Sequence, residues 1–277
     1  DTNLKNSVQN TDLRFAKLND AKRIWAISAV HGEIDKLTNL HDTIFPHIHV
    51  GDRLAYTGNY MGYGTQSATV IDEILTFRRA VLARPGMIPS DFIYLRGAQE
   101  EMWQKLIQLQ FCPNPTDTLL WMLGNGLNNT LYAYGLSPHD GMEACRQGMV
   151  SIATWTKSIR SAIYARKGHD LFSAQLVRAA YTPRSSSHPL LFVNSGIDTS
   201  KQLTEQGDSF WWASNKFDNI NHAYAPFEKV IRGYDPKHKG LDFKCVKATI
   251  DGGCGFGGSL VCAVFNNDGT ILDALHC

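Results

Sequence analysis

The chain has 277 residues, 43% hydrophobic and 19% charged, enough apolar material for one compact unit or one unit with a large insertion. Lysine and arginine number 27 against 26 aspartates and glutamates, so a net charge of +1 gives no bulk electrostatic case for nucleic acid or an anionic membrane surface. No apolar run approaches the ~20 residues of a transmembrane segment, and the polar start DTNLKNSVQN lacks a signal-peptide core.

A soluble protein is therefore expected. The cysteines Cys112, Cys145, Cys245, Cys254, Cys262 and Cys277 show neither a CxxC pair nor zinc-ligand spacing. Free thiols in a reducing compartment follow, either the cytoplasm or another bacterial or organellar setting.

Residues 1–23 read as a polar lead. Ile24-Trp25-Ala26-Ile27 predicts a short buried strand, which runs through Ser28-Ala29-Val30-His31-Gly32 into a helix marked by Ile34, Leu37 and Leu40. A second unit places Arg53 and Leu54 near a strand end. It continues through a loop with Gly58, Gly62 and Gly64 into a helix carrying Val70, Ile71, Ile74 and Leu75, with Arg78-Arg79 on its solvated face. A third runs from Phe92-Ile93-Tyr94-Leu95 through Arg96-Gly97-Ala98-Gln99-Glu100 to Met102, Leu106 and Leu109.

Strands alternating with helices predict an α/β layered architecture with partly parallel pairing, whose functional groups gather in loops after strand C-termini. From about 101 to 180 helix follows helix, which reads as an inserted helical cap. Strand character resumes at Leu190-Leu191-Phe192-Val193 and at Val230-Ile231-Arg232. Residues 248–251, 260–265 and 270–272 read as a closing meander, with Asn267-Asp268-Gly269 as a turn.

Six short segments occur in a telling order: Ala29-Val30-His31-Gly32, Gly51-Asp52-Arg53, Leu95-Arg96-Gly97-Ala98-Gln99-Glu100, Phe192-Val193-Asn194-Ser195-Gly196-Ile197-Asp198, Arg232-Gly233-Tyr234-Asp235-Pro236 and Ile250-Asp251-Gly252-Gly253-Cys254-Gly255-Phe256-Gly257-Gly258. In this the chain resembles the calcineurin-like metallophosphoesterases, in the branch of serine/threonine protein phosphatases and symmetrical diadenosine tetraphosphatases. The similarity spans roughly residues 24 to 272. It implies a four-layer α/β sandwich, two mixed β-sheets flanked by helices, carrying the helical cap.

In that family two metal ions share a bridging carboxylate and activate a water for in-line attack on phosphorus. The family's loops read G-D-x-H-G, G-D-x-x-D-R-G and R-G-N-H-E, with later histidines in the fourth and fifth motifs. Carried over, the resemblance keeps one ligand histidine as His31 but sets Ala29 where a ligand aspartate belongs. It makes Asp52 the bridging carboxylate. Arg96 corresponds to a phosphate-contacting arginine, Ala98 replaces the ligand asparagine, and Gln99 replaces the histidine that protonates the leaving group. Asn194 and Tyr234 stand where ligand histidines are expected, and Arg232 is a second candidate phosphate contact.

The resemblance therefore implies a pseudophosphatase: the fold without the dimetal machine, serving as a binding or assembly module for a protein partner or a phosphorylated ligand, with no cofactor. The alternative is a phosphohydrolase of the phosphoprotein or dinucleoside polyphosphate type, with one divalent metal (Mn, Mg or Zn) on His31, Asp52 and Asn194. Three further features are open to functional readings. His41, His47 and His49 read as a surface loop against a transition-metal site, Cys254 as packing against a nucleophile, and Trp103, Trp121, Trp155, Trp211 and Trp212 as core against an aromatic platform for a base.

Overall fold

The computed structural model describes residues 14–183 and 185–277. In chain order it runs β1 (Phe15–Lys17), β2 (Arg23–Ile27), α1 (Ile34–Ile44), β3 (Arg53–Tyr56), α2 (Ser67–Leu82), β4 (Phe92–Tyr94) and α3 (Ala98–Leu106). Then come α4 (Pro115–Met122), α5 (Asn128–Ala133), α6 (Pro138–Gln147), α7 (Met149–Tyr164) and α8 (His169–Ala174). The remainder is β5 (Ala179–Tyr181), β6 (Leu190–Val193), α9 (Ser209–Trp212), α10 (Ser214–Asp218), β7 (Lys229–Arg232), β8 (Asp242–Phe243), β9 (Lys247–Thr249), β10 (Val261–Asn266) and β11 (Ile271–His276).

The strands form two mixed sheets, one ordered β11-β10-β2-β3-β4 and the other β1-β5-β6-β7-β9-β8. The alternation of side chains along β2 explains the layering. Ile24 and Ala26 face the second sheet, in a shared core with Ala55, Phe192, Ile231 and Phe265. Trp25 and Ile27 face the opposite way, into a larger core built with α1 and α2. On the outside of the second sheet Leu191, Val193 and Val230 pack against Phe210 and Trp211 of α9 and Phe217 of α10. The order is thus helices, sheet, sheet, helices.

The helices between α3 and β5 widen the first helical layer, where Leu119, Leu131, Ile152, Ile159 and Phe172 join the same core as α1 and α2. A kinked turn at Leu123–Leu127, with Gly126 at φ +107°, touches the strand-end loops. It does so through Asn125, whose carbonyl accepts the Gln99 side-chain amide at 2.7 Å.

Two sequence expectations change. In the stretch read as a polar lead, residues 1–13 lie outside the described residues, but Phe15–Lys17 is a strand pairing in parallel with β5. The closing meander is split. β9 belongs to the second sheet, between β7 and β8, whereas β10 and β11 form a hairpin on the first. The turn at Asn267-Asp268-Gly269 is as expected, with Gly269 at φ +80° and Asn266 N–H donating to Thr270 O at 2.8 Å. No helix among the described residues is long and apolar enough to cross a membrane. The six cysteines are free thiols.

Candidate functional site

β2, β3 and β4 run parallel, so the loops after Ile27, Tyr56 and Tyr94 leave from one edge of the sheet. The loops after β6, β7 and β9 reach the same place from the other sheet, where Ala29 N–H donates to Gly233 O at 3.1 Å. Val30 and His31 N–H both donate to Asn59 O at 2.9 Å, fastening the first two loops together. Within them His31, Asn59 and Tyr63 adopt φ of +50°, +55° and +55°. Side chains other than glycine rarely take this region, and such strain persists only where the surroundings enforce it.

His31 is wholly buried. Its Nδ1 lies 2.9 Å from Cys254 O, and because a carbonyl can only accept, that nitrogen carries the proton. Nε2 is then the acceptor, and Asn59 Nδ2–H donates to it at 3.2 Å. Burial pushes the imidazole down to about 4, so it stays neutral. Three rings close on it edge to face, Tyr234 at 5.0 Å, Tyr63 at 5.3 Å and Phe256 at 5.4 Å. Burial raises the Tyr234 phenol above its usual value.

The asparagine amides knit the rest. Asn59 Oδ1 accepts Gln99 N–H at 3.2 Å. Asn194 Oδ1 accepts Ala98 N–H at 3.0 Å, and its Nδ2 donates to Thr57 O at 2.8 Å. Gln99 fills the space beside Gly62, where a Cβ would collide with its Oε1. That oxygen is buried without a partner among the described residues. Glu100 accepts the N–H groups of Asn59 (2.6 Å), Gly97 (3.0 Å) and Tyr60 (3.1 Å), and burial still pushes its carboxyl up to about 7.

Asp52 is not part of this cluster. It precedes β3 rather than following it, so the strand's four residues, roughly 13 Å of extended chain, separate it from the loops. There it accepts Arg23 Nη2–H at 2.7 Å, Trp25 Nε1–H at 3.1 Å and His49 N–H at 2.8 Å. The segment that follows β3 is Gly58-Asn59-Tyr60-Met61-Gly62-Tyr63-Gly64. It has the glycine spacing of the G-D-x-x-D-R-G loop, with Asn59 and Gly62 where that pattern has acids and Tyr63 where it has arginine. The sequence reading missed Asn59, and the signal was the position of Gly58 directly after the apolar run.

Arg232, the other arginine singled out in the sequence, is turned inward. It is 3% exposed and committed to Asp218 at 2.9 Å, Thr249 Oγ1 at 3.0 Å and Asp235 at 3.4 Å. Arg96 differs: its side chain is 28% exposed, with Glu101 at 3.2 Å. Of the other features, His41 is buried between Glu73 (2.7 Å) and the Tyr56 hydroxyl (2.8 Å), apart from the exposed His47 and His49. The Cys254 thiol donates to Val30 O at 3.1 Å and burial pushes it up to about 12, a packed core group. Trp103, Trp155 and Trp211 are buried, whereas Trp121 and Trp212 form an exposed edge-to-face pair at 5.5 Å.

The donor set does not fit a pair of divalent metals. Ala29 and Ala98 have no side-chain lone pairs, both ends of the Asn59 and Asn194 amides are engaged, and His31 Nε2 already accepts a hydrogen bond. Among the described residues no three His, Cys, Asp or Glu side chains converge as a ligand group. His31 and Asn194 sit in the same loop cluster, but Asp52 does not join them.

No family model matches the sequence, and no curated protein matches it either. Solved structures do match by fold. A protein provisionally assigned as a diadenosine tetraphosphatase superposes with a TM-score of 0.56 at 16% identity, over 95% of this chain and 97% of its own. The chain has the calcineurin-like metallophosphoesterase fold. A cold-active protein-tyrosine phosphatase from a psychrophilic Shewanella species shares that fold at a TM-score of 0.50 and 14% identity, over 96% of this chain and 84% of its own. Within this metallophosphoesterase-type sandwich, the hydrogen-bonded loop cluster occupies the edge where both sheets send their strand-end loops.

Proposed function

We propose that the chain is a pseudophosphatase, a metallophosphoesterase-fold protein that acts as a binding or assembly module. One observation carries the reading. His31, the one family-type histidine retained, spends its free nitrogen on Asn59 and is closed over by Tyr63, Tyr234 and Phe256. The reduced, single-metal reading required Asp52 beside His31, and Asp52 is paired with Arg23 at the far end of β3. That its fold neighbours are phosphatases supports a phosphorylated ligand or a phosphoprotein as partner, with Arg96 at the rim as its contact.

The test is elemental analysis of protein purified without chelator and again after incubation with Mn, alongside turnover of phosphomonoesters and dinucleoside polyphosphates. The expected result is no stoichiometric metal and no Mn-dependent turnover. Stoichiometric Mn accompanied by hydrolysis that an Asn59→Ala variant loses would overturn the proposal.

A further inference from the structure

Apart from the cluster around His31, beside the outer face of the second sheet, lies a cavity of 800 Å³. That is ample for a drug-sized or disaccharide-sized ligand. One wall is the segment 199–204 after β6, and the other is 219–227 before β7. The rings of Tyr181, Phe227 and Tyr224 line it in a row, with centroids 5.8 Å and 6.1 Å apart; Tyr181 is partly exposed, Phe227 and Tyr224 are buried.

Neither wall has a sheet ladder to hold it, yet the first is firmly built. Gln206, 1% exposed, accepts Asp198 N–H at 2.8 Å through Oε1 and donates through Nε2 to Asp198 O at 2.8 Å and Lys201 O at 3.1 Å. Asp198 in turn holds Ser200 N–H at 3.1 Å and Lys216 at 2.6 Å. The Tyr224 hydroxyl donates to Lys201 O at 2.7 Å and so ties one wall to the other. A shape fixed in advance spares a ligand the cost of ordering loops.

The chemistry facing the cavity is one-sided. The side chains of Thr199, Gln202, Thr204, Asn219 and Asn221 have no hydrogen-bond partner among the described residues. Amides and hydroxyls both donate and accept, as sugar hydroxyls do, and the partly exposed Tyr181 ring suits the C–H face of a sugar. Among the described residues Lys201 has no carboxylate partner, and none of those lining the cavity is an aspartate or glutamate.

We propose that this cavity binds a short polyhydroxylated ligand with one acidic group, such as a sugar phosphate or a uronic-acid saccharide. Its ring lies against Tyr181, its hydroxyls meet Asn219, Asn221 and Gln202, and its anion meets Lys201. This site is separate from the cluster around His31.

The experiment is titration of the full chain with glucose, glucuronate, glucose 6-phosphate and an acidic tetrapeptide, followed by calorimetry and by amide chemical shifts. Both acidic sugars should bind at least about tenfold more tightly than glucose, shift the amides of 199–204 and 219–227, and fall to the glucose level in Lys201→Ala. The ratio of phosphate to uronate affinity assigns the source of the acidic group. The Lys201 side chain makes no bond among the described residues, so the variant is expected to fold, and Asn219→Ala is a second probe of the same wall. No binding of either acidic sugar at millimolar concentration would overturn the proposal. So would tighter binding of the peptide, or sugar binding that survives Lys201→Ala and is lost in Arg96→Ala.

Discussion

Asn59 and His31 meet through a 3.2 Å hydrogen bond to the Nε2 left as acceptor, in a wholly buried imidazole whose tautomer the Cys254 carbonyl fixes. Replacing Asn59 by Asp removes the donor and turns a carboxylate oxygen toward the Nε2 lone pair. Asn59→Asp should cost roughly 1–3 kcal/mol at neutral pH, and the loss should shrink on acidification as His31 gains a proton and pairs with the new carboxylate. Chemical denaturation of both proteins at pH 7.5 and pH 5 checks this. A variant as stable as the parent at both values would contradict the assigned hydrogen bond.

The His31 imidazole should remain neutral, protonated on Nδ1, down to about pH 4. Its ordinary value is 6.5, so the unfolded chain binds the extra proton first. The resulting stability is complete above pH 6.5 and is lost as pH falls toward 4, amounting to roughly 3 kcal/mol. Nitrogen-15 shifts of the ring report the tautomer directly. His31→Asn, whose side chain tolerates the positive φ, should lose this acid-side slope.

Glu100 carries the opposite slope. Burial pushes its carboxyl from 4.5 up to about 7, so the folded state holds the proton more tightly. Ionising it costs stability as pH rises from 4.5 through 7. Between about pH 4.5 and 6.5 the two groups partly cancel, and the parent's stability should vary less with pH than that of either single variant. In Glu100→Gln the opposing slope should vanish, at a cost of roughly 2–3 kcal/mol because an amide N–H₂ then faces backbone donors. Stability curves across pH for His31→Asn, Glu100→Gln and the parent decide it.

The two arginines singled out in the sequence should behave differently. Arg232→Met leaves Asp218 and Asp235 without their buried counter-charge and should cost about 3–5 kcal/mol. Arg96→Ala loses one partly exposed pair with Glu101 and should cost no more than about 1 kcal/mol. Equal losses would mean that one of these environments is wrongly assigned.

Much of the fold was legible because burial leaves a trace in the letters. The apolar runs of β2, β4 and β6 stand out, and the parallel order of β2, β3 and β4 follows from the helices between them. The glycines that allow sharp turns marked the loops. The site was harder. Gly51-Asp52 matched a motif by letters alone, although it precedes the apolar run of β3, and loops that carry function follow strands. Gly58-Asn59 stood in the right place, but an amide had replaced the acid that would have announced it. The ring cluster of Tyr63, Tyr234 and Phe256 draws on three separate loops, and no local pattern foretells their meeting. β1 escaped notice because three residues carry too little periodicity to separate a strand from its polar surroundings.

Asn194 has a mechanical consequence. It sits at the end of β6 in one sheet, while its amide grips Thr57 after β3 and Ala98 at the start of α3, both attached to the other sheet. Any sliding of one layer over the other must break both bonds together, and Asn194, Thr57 and Ala98 are all buried. The edge where this fold gathers its loops is therefore riveted against shear between its layers.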